Sequence, residues 1–317
     1  MSFISNCTAG AIKDAATSLI NGDLVAFPTE TVYGLGADAG NEMAVKKIYQ
    51  VKGRPSDHPL IVHISNLKQL DKWAREIPEY AIKLARSFWP GPMTLILPRT
   101  PLAKDFITGG QDNVGIRIPD QTLALALLTE FEQQGGAGVA APSANRFGKV
   151  SPTTASAVEA ELGAFLDSKD LILDGGSCEV GVESTIIDCT TQTPIILRPG
   201  AITAAMIQEV TSLSPQSNNT NNTKASGLLE SHYAPKAKVL LDQTPKEGDG
   251  FIALSEIKTP QGVIRLAEPK NNIEYAKVLY QALRDGDKQQ LKTICAQLPI
   301  GDDIAEAIRD RLKKSAK

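Results

Sequence analysis

Several motifs that mark common chemistries are absent from this 317-residue sequence. It has no G-x-x-x-x-G-K-[ST] loop and no G-x-G-x-x-G fingerprint between a strand and a helix, so the familiar nucleotide-binding motifs are excluded. A G-x-S-x-G elbow is also missing, and therefore no serine is marked as a hydrolase nucleophile. The four cysteines show neither C-x-x-C nor Cys/His ligand spacing. The sequence thus predicts no zinc site and no disulfide framework.

Strong charge and long apolar runs are lacking as well. The net charge is -3 and aromatic residues make up 5% of the chain, so there is no global basic field to attract nucleic acid. No apolar run reaches about 18 residues, and the first residues contain no basic region followed by an apolar core. We therefore expect a cytoplasmic protein without a membrane span.

The patterns that are present predict an α/β (α+β) protein. Strand and helix patterns alternate early and strands crowd together later, which is typical of a twisted mixed sheet with flanking helices. The clearest helical patterns of this part cover 9–20, 42–51, 66–76 and 121–133. A second set of patterns follows residue 236, with strands over 238–241, 251–255 and 263–266 and helices over 273–284 and 303–314.

A polar stretch of low complexity separates these two sets. Residues 212–226 are rich in Ser, Asn and Thr, and such a composition does not bury enough apolar surface to become ordered by itself. We read it as a mobile linker. The predicted organisation is a catalytic domain over 1–211, a linker over 212–235 and a small α/β domain over 236–317.

The chain is organised around the stretch 27–36, Phe-Pro-Thr-Glu-Thr-Val-Tyr-Gly-Leu-Gly. It follows a short apolar strand, and Pro28 suits the end of a strand because it lacks an amide hydrogen. Thr29 and its polar neighbours are then presented at a strand end, where open α/β sheets place ligand sites. An ordinary strand-to-loop transition would give the same pattern.

Four cationic or ionisable residues are candidates for binding an anion. Lys52 and Arg54 lie at the end of a predicted helix. There they either stabilise the negative C-terminal end of the helix dipole or bind a phosphate or carboxylate. Arg117 lies within an apolar strand and must pair with an internal carboxylate or an anionic ligand, since an unpaired buried charge is costly. His63 also interrupts an apolar strand, as a hydrogen-bonded core histidine or as a ligand contact.

Hydroxyl and amide groups at other strand ends complete the set. Ser143 and Asn145 follow a short strand, and Ser151 precedes a predicted helix, where it is an N-cap or a phosphate contact. Ser184 and Arg198 stand at the boundaries of two later strands. Together these residues describe a cleft suited to an anionic, phosphate-bearing ligand.

The order of these motifs resembles the YrdC-like family. The resemblance rests on FPTETVYGLG at 27–36, KGRP at 52–55, WPGP at 89–92, PSAN at 142–145, GVEST at 181–185 and LRPG at 197–200. HYAP at 232–235, followed by a small α/β unit, is similar to the long two-domain form, the threonylcarbamoyl-AMP synthases. The match runs from about residue 8 to the end of the sequence.

This resemblance implies a fold, a reaction and partners. The fold has a large concave positive cavity, and the linker folds over the active site. The reaction joins L-threonine, bicarbonate or CO₂, and ATP into threonylcarbamoyl-AMP and pyrophosphate, with Mg²⁺ accompanying ATP. A tRNA threonylcarbamoyl-transfer complex would consume the product, and a weak direct tRNA contact is possible under this expectation.

The resemblance also implies roles for individual residues. L-Threonine is expected to bind at Thr29, His63, Arg117, Ala141 and Ser184. ATP is expected to contact Lys52, Arg54, His58, Asn113, Ser143, Asn145, Ser151 and Arg198, with Lys52 and Arg54 as the catalytic cations. Two departures from the family pattern are His58, where Asn is usual, and 226–229, Ser-Gly-Leu-Leu.

Two other functions compete with this one. A carbamoyl transferase of the hydrogenase-maturation type uses a YrdC-like core, but the acylphosphatase and zinc-finger modules of such proteins are not found in this sequence. A non-catalytic RNA-binding module would also use a positive cavity. The acidic balance and the lack of basic stretches with aromatics argue against it.

Overall fold

The first part of the chain forms a ten-stranded mixed sheet in the computed structural model, which describes residues 3–6, 8–217, 223–228 and 232–316. Its strands are β1 (Ile4–Asn6), β2 (Val25–Phe27), β3 (Gly34–Asp38), β4 (Ile61–His63), β5 (Met93–Pro98), β6 (Asn113–Arg117), β7 (Val139–Ala140), β8 (Leu171–Asp174), β9 (Thr185–Asp188) and β10 (Ile195–Arg198). Their spatial order is β1-β8-β2-β3-β7-β4-β6-β5-β9-β10. Parallel and antiparallel pairs are both present, so the predicted mixed sheet is confirmed.

Helices flank this sheet, as the sequence predicts. They are α1 (Ala9–Ile20), α2 (Glu42–Lys52), α3 (Leu70–Trp73), α4 (Glu79–Phe88), α5 (Asp105–Thr108), α6 (Thr122–Gln133), α7 (Ala155–Leu162) and α8 (Ala204–Thr211). Thr8 and Asn41 cap α1 and α2 through their side-chain oxygens, which satisfies backbone amides that a helix start leaves free. Gly53 ends α2 at φ 60, a left-handed conformation that glycine adopts without strain.

One predicted helix is wrong. Residues 66–76 form only a 3₁₀ turn, Leu67–Gln69, and the single turn of α3. The chain then becomes extended at Ala74, which bridges to Arg99. The apolar spacing that indicated a long helix arises because Leu70 and Trp73 both enter the core.

Two apolar layers enclose the sheet. Leu19, Phe27 and Phe131 pack together in the layer that contains α1 and α6. The larger layer includes Ile48 and Trp73, both completely buried. Burial of a large apolar side chain stabilises the fold by roughly 1.5–3 kcal/mol, so these layers provide a rigid support for the loops at the strand ends.

The last part of the chain forms a second, all-parallel sheet. Its strands are β11 (Lys238–Leu241), β12 (Gly250–Ile252), β13 (Ile264–Ala267) and β14 (Thr293–Ala296), in the order β11-β14-β12-β13, with helices α9 (Asn272–Lys288) and α10 (Ala305–Ser315). Val150 and Val182 of the first part pack with Tyr280 and Leu312 of the last part in one buried cluster. The two parts therefore share apolar core, although the predicted domain boundaries stay predictions.

The polar stretch between the two sheets is tied to the first sheet wherever the structure describes it. Gln216 bridges to Ile195, and Thr223 donates to the buried Asp188 carboxylate over 2.8 Å. Sheet groups thus bind polar atoms of these described residues, while the reading of 212–226 as a mobile linker stays a prediction; 218–222 lie outside the described part. No described helix has the length and apolarity required to cross a membrane.

Candidate functional site

A polar pocket opens where several strands of the first sheet end. Eight of the thirteen predicted site residues line it, namely Thr29, Arg54, His63, Arg117, Ala141, Ser143, Ser184 and Arg198. The space enclosed is about 530 Å³, including the part open to solvent, within the range of small-molecule sites. Sheet topology explains the grouping, because β4 pairs with both β6 and β7 and sets His63 beside Arg117.

Arg117 is held by an internal carboxylate. Its Nη2 donates to Glu30 Oε1 over 2.6 Å, and both side chains are buried. Arg117 lines the pocket whereas Glu30 does not. Among the described residues, Arg117 Nε has no hydrogen-bond partner. Glu30 therefore neutralises and orients the guanidinium from behind, and an unused donor remains for an anionic ligand. The two partners that the sequence left open for Arg117 are compatible.

His63 stands next to Arg117 as a neutral imidazole. It is 4% exposed, and burial, assisted by the positive charge of Arg117, lowers its pKa to about 3. Its Nδ1 lacks a hydrogen-bond partner in the described part of the chain, while its ring packs edge-on to Phe27. A neutral imidazole with an unused nitrogen can accept or donate one hydrogen bond, which suits a hydroxyl or amine.

Two further arginines supply positive charge to the pocket. Arg54 donates to Pro59 O over 3.0 Å and to Ser226 Oγ over 3.2 Å, and burial lowers its pKa to about 10, so it stays charged at neutral pH. Arg198 donates to Ser184 O and to Ser184 Oγ. These bonds fix Arg198 against the start of β9 and leave its charge beside the pocket.

Lys52 and Asn145 lie behind the pocket wall. Lys52 is 2% exposed and donates to the backbone oxygens of Ser143 and Asn145, and burial lowers its pKa well below the ordinary value. Asn145 uses its amide nitrogen to hold Arg146 O and Lys149 O. The structure does not bring either side chain to the pocket lining; both shape the loop that carries Ser143.

Ser151 is also outside the lining. It is completely buried, and its hydroxyl donates to Glu183 Oε1 over 2.6 Å. Burial would raise the pKa of Glu183, but the positive charges of Arg311 and Arg198 outweigh it and lower this pKa to about 2. Because the single hydroxyl proton of Ser151 goes to an ionised carboxylate, Ser151 has only acceptor capacity left for other groups. Donation from Ser151 to a phosphate would require this bond to break.

His58 and Asn113 are the remaining predicted residues, and they occupy other places. The rings of His58 and Phe147 pack edge to face with their centroids 5.3 Å apart. Burial lowers the pKa of His58, and the positive charge of Arg54 lowers it further. Asn113 lines a smaller cavity together with Lys224, Ala225 and other residues. That cavity shares Ile61 and Ser226 with the main pocket, so Asn113 is near it without lining it.

The pocket also contains residues that were not predicted to bind substrate. Ser226 and Gly227 line it, followed by His232 and Tyr233 of the HYAP motif. Gly227 has φ +81, and a Cβ there would lie 2.4 Å from the Tyr233 hydroxyl. The motif was a usable signal for His232 and Tyr233. Glu183 also lines the pocket; its GVEST motif was recognised, but only the neighbouring Ser184 was predicted to bind substrate.

The fold and the site define a class of protein: an α/β protein with a mixed sheet whose strand ends enclose a cation-rich pocket. A family described as "Telomere recombination" (Sua5/YciO/YrdC) matches residues 17–200. A second family, described as "Threonylcarbamoyl-AMP synthase, C-terminal domain", matches residues 202–317. The chain belongs to the Sua5/YrdC family, in the form that carries the Sua5 C-terminal domain.

Similar proteins cover nearly the whole chain. A threonylcarbamoyl-AMP synthase of Pyrococcus abyssi is 39% identical, with 96% of this chain and 94% of the relative covered. One from Bacillus subtilis is 40% identical, with coverages of 96% and 92%. The crystal structure of P. abyssi Sua5 complexed with L-threonine matches with a TM-score of 0.89 at 37% identity, covering 99% of this chain and 98% of that one.

HypF is similar in fold only. The T. kodakarensis HypF structure matches at 17% identity with a TM-score of 0.50, and the match covers 24% of HypF. A similarity of this kind shows a shared architecture and does not carry an argument about activity.

Proposed function

We propose that this chain is a threonylcarbamoyl-AMP synthase, which joins L-threonine, CO₂ or bicarbonate, and ATP. The observation that carries the proposal is a pocket with three buried arginines, Arg54, Arg117 and Arg198, in a chain whose full length matches synthases from two domains of life. The substrates are an amino acid carboxylate and a triphosphate, and arginine binds both groups in a fork geometry.

The threonine half of the proposal uses the wall around β4 and β6. Arg117, held by Glu30, takes the carboxylate, and the neutral His63 takes a hydroxyl or amine of the same substrate. Thr29 Oγ1 is 2.6 Å from Val32 O and 2.8 Å from Thr31 Oγ1, so its position is fixed before any ligand enters. Preorganised groups lose less entropy on binding.

The nucleotide half uses other residues of the pocket lining. Arg54 and Arg198 face the phosphates, and Ser143 lies on the loop that Lys52 holds. The described residues contain no group of three or more His, Cys, Asp or Glu side chains that could hold a metal ion. This fits Mg²⁺ that arrives with ATP, because such ions take most of their ligands from phosphates and water.

The proposed chemistry requires no enzyme nucleophile. The threonine amine attacks CO₂ to form a carbamate and releases one proton. A carbamate oxygen then attacks the α-phosphorus of ATP, and the bond to the bridging oxygen breaks, so that pyrophosphate leaves. Buried cations stabilise negative charge during this displacement, and the pocket positions the two partners. The product is an activated group that a tRNA threonylcarbamoyl-transfer step would consume.

Pyrophosphate release by the purified protein tests the proposal. We expect release from ATP only when both L-threonine and bicarbonate are present, with threonylcarbamoyl-AMP detected by mass spectrometry. Release of pyrophosphate when both L-threonine and bicarbonate are left out would identify an ATP pyrophosphatase instead. No release under any condition, together with RNA binding, would support the non-catalytic alternative.

A further inference from the structure

A buried network connects the pocket wall to the C-terminal part of the chain. Glu183 lines the pocket, yet its Oε2 accepts hydrogen bonds from two residues of the last two helices. The Tyr280 hydroxyl of α9 donates over 2.8 Å, and Arg311 Nε of α10 donates over 2.9 Å. The other oxygen, Oε1, accepts from Ser151 over 2.6 Å. One carboxylate of the first part therefore depends on two side chains of the last part.

Arg311 is fully committed to this position. It is 1% exposed, and beyond Glu183 it donates to Pro199 O over 3.0 Å and to Asp310 Oδ2 over 2.5 Å. Its guanidinium also lies 5.4 Å from the ring centre of Tyr233, and Tyr233 stacks on Tyr280. A guanidinium with every nitrogen bound has a single orientation, so it fixes the carboxylate that it contacts.

The sign of the charge makes this contact important for a nucleotide. Glu183 is an anion on the wall of a pocket whose proposed ligand carries a triphosphate. Without a counterion, a carboxylate several ångströms from a phosphate weakens binding by about fivefold or more per charge pair at an effective dielectric of about 20. Arg311 supplies the counterion and does not itself line the pocket.

We propose that the C-terminal part completes the ATP pocket, with Arg311 as a positioning residue that neutralises and orients Glu183 and thereby holds Ser151. Tyr280 assists by binding the same oxygen. This inference rests on the proposed function to the extent that the ligand is an anionic nucleotide. It assigns to α10 a role in nucleotide binding beyond the packing of the two sheets.

The test compares three variants of the full-length protein. Arg311→Met keeps the length and apolar stem of the side chain and removes its charge. Arg311→Met/Glu183→Gln removes both charges and retains similar volume. Arg309→Met is the matched control, because Arg309 lies on the same helix and donates to Pro299 O over 2.8 Å, within the last part of the chain. Binding of a non-hydrolysable ATP analogue and of L-threonine is measured by calorimetry for each.

The expected pattern separates the two ligands. Arg311→Met should weaken analogue binding about tenfold or more, since the opposing energy grows with ligand charge. Threonine is zwitterionic with no net charge, and its affinity should change much less. The double variant should recover most of the analogue affinity, and Arg309→Met should bind both ligands like the wild type.

Three outcomes would overturn the proposal. Unchanged analogue affinity in a folded Arg311→Met variant would show that the pair only joins the two sheets. Equal loss of both ligands, with no recovery in the double variant, would indicate general distortion. If Arg311→Met does not fold, an unchanged analogue affinity in Tyr280→Phe would contradict the proposal. A wild type that binds the analogue but releases no pyrophosphate from ATP in the presence of L-threonine and bicarbonate would refute the proposed function alone.

Discussion

Two buried arginine–glutamate pairs border the pocket, and they face it in opposite orders. In the first pair Arg117 lines the pocket and Glu30 stands behind it; in the second pair Glu183 lines the pocket and Arg311 stands behind. The first pair lies entirely within the ten-stranded sheet and its loops. The second pair joins that part to α10. Similar chemistry thus presents a cation to the pocket in the first pair and a neutralised anion in the second.

The difference in order has a physical meaning. Burying either ion alone is expensive, so each requires its partner. Arg117 retains an Nε without a partner among the described residues, and the first pair therefore keeps capacity for a ligand. In the second pair both Glu183 oxygens and every Arg311 nitrogen are bound. The first pair is arranged for recognition and the second for support.

The largest effect is expected when the first pair is broken. Arg117→Met leaves Glu30 buried and unpaired, which destabilises a protein by about 3–5 kcal/mol, and it removes the proposed carboxylate partner. Threonine-dependent pyrophosphate release should fall by at least about a hundredfold. Activity and the thermal unfolding midpoint are measured together.

The double variant Arg117→Met/Glu30→Gln serves as the control for stability. It should recover much of the unfolding temperature because no unpaired charge remains, but it should not recover activity. Recovery of both would mean that Arg117 acts through stability alone, and the contrast between the two pairs would be lost.

Acid stability sharpens the comparison at the second pair. The folded pKa of Glu183 is about 2, below its ordinary value of 4.5. A lowered carboxylate pKa contributes stability that is complete above the unfolded value and is lost as pH falls through the folded one. The contribution should therefore disappear between about pH 4.5 and pH 2, and its size is about 3 kcal/mol.

Urea unfolding of the wild type and of Glu183→Gln at pH 6, 4 and 3 measures this contribution. The difference in unfolding free energy between the two proteins should shrink as the pH falls. His63, whose pKa burial lowers to about 3, is present in both proteins and cancels in the difference. His232 cancels only in part, because burial lowers its pKa to about 3 while the charge of Glu183 raises it. Parallel pH curves would show that Glu183 is not held as an anion.

The sequence predicted the first pair better than the second for a physical reason. Arg117 lies in an apolar strand, and a charged residue in such a run indicates a buried partner because an unpaired buried charge is costly. Glu30 precedes it in the loop between β2 and β3. Glu183 stands in a polar motif, and Arg311 falls in an amphipathic helix of ordinary composition. Nothing local distinguishes a buried arginine in such a helix from an exposed one.

The same limit explains why some predicted site residues do not line the pocket. Thr29, Ser184 and Arg198 reach the pocket because strand ends in one sheet converge, and short apolar runs predict the strands. Lys52 was expected to touch ATP, but it holds the backbone oxygens of Ser143 and Asn145. Sequence patterns indicate that a cation lies near a site; they do not tell whether its charge is used by the ligand or by a loop.

The smallest expected effect isolates one hydrogen bond of the second pair. Tyr280→Phe removes the hydroxyl that donates to Glu183 Oε2 and keeps the ring that stacks on Tyr233. A hydrogen bond to a charged group contributes about 1.5–3 kcal/mol. Because Arg311 still binds the same oxygen, the free energy lost in Tyr280→Phe should be about 1.5 kcal/mol or less. The KM for ATP should rise by a few-fold while the KM for threonine stays the same.

Tyr275→Phe is the matched control for this prediction. Tyr275 lies on the same helix and donates to Gln297 O over 2.8 Å, within the last part of the chain. Its loss should lower the unfolding temperature by a similar amount and leave both KM values unchanged. If the two variants alter KM for ATP equally, helix stability would explain the effect, and the second pair would have no separate link to the nucleotide. If only Tyr280→Phe alters it, that link runs through Glu183.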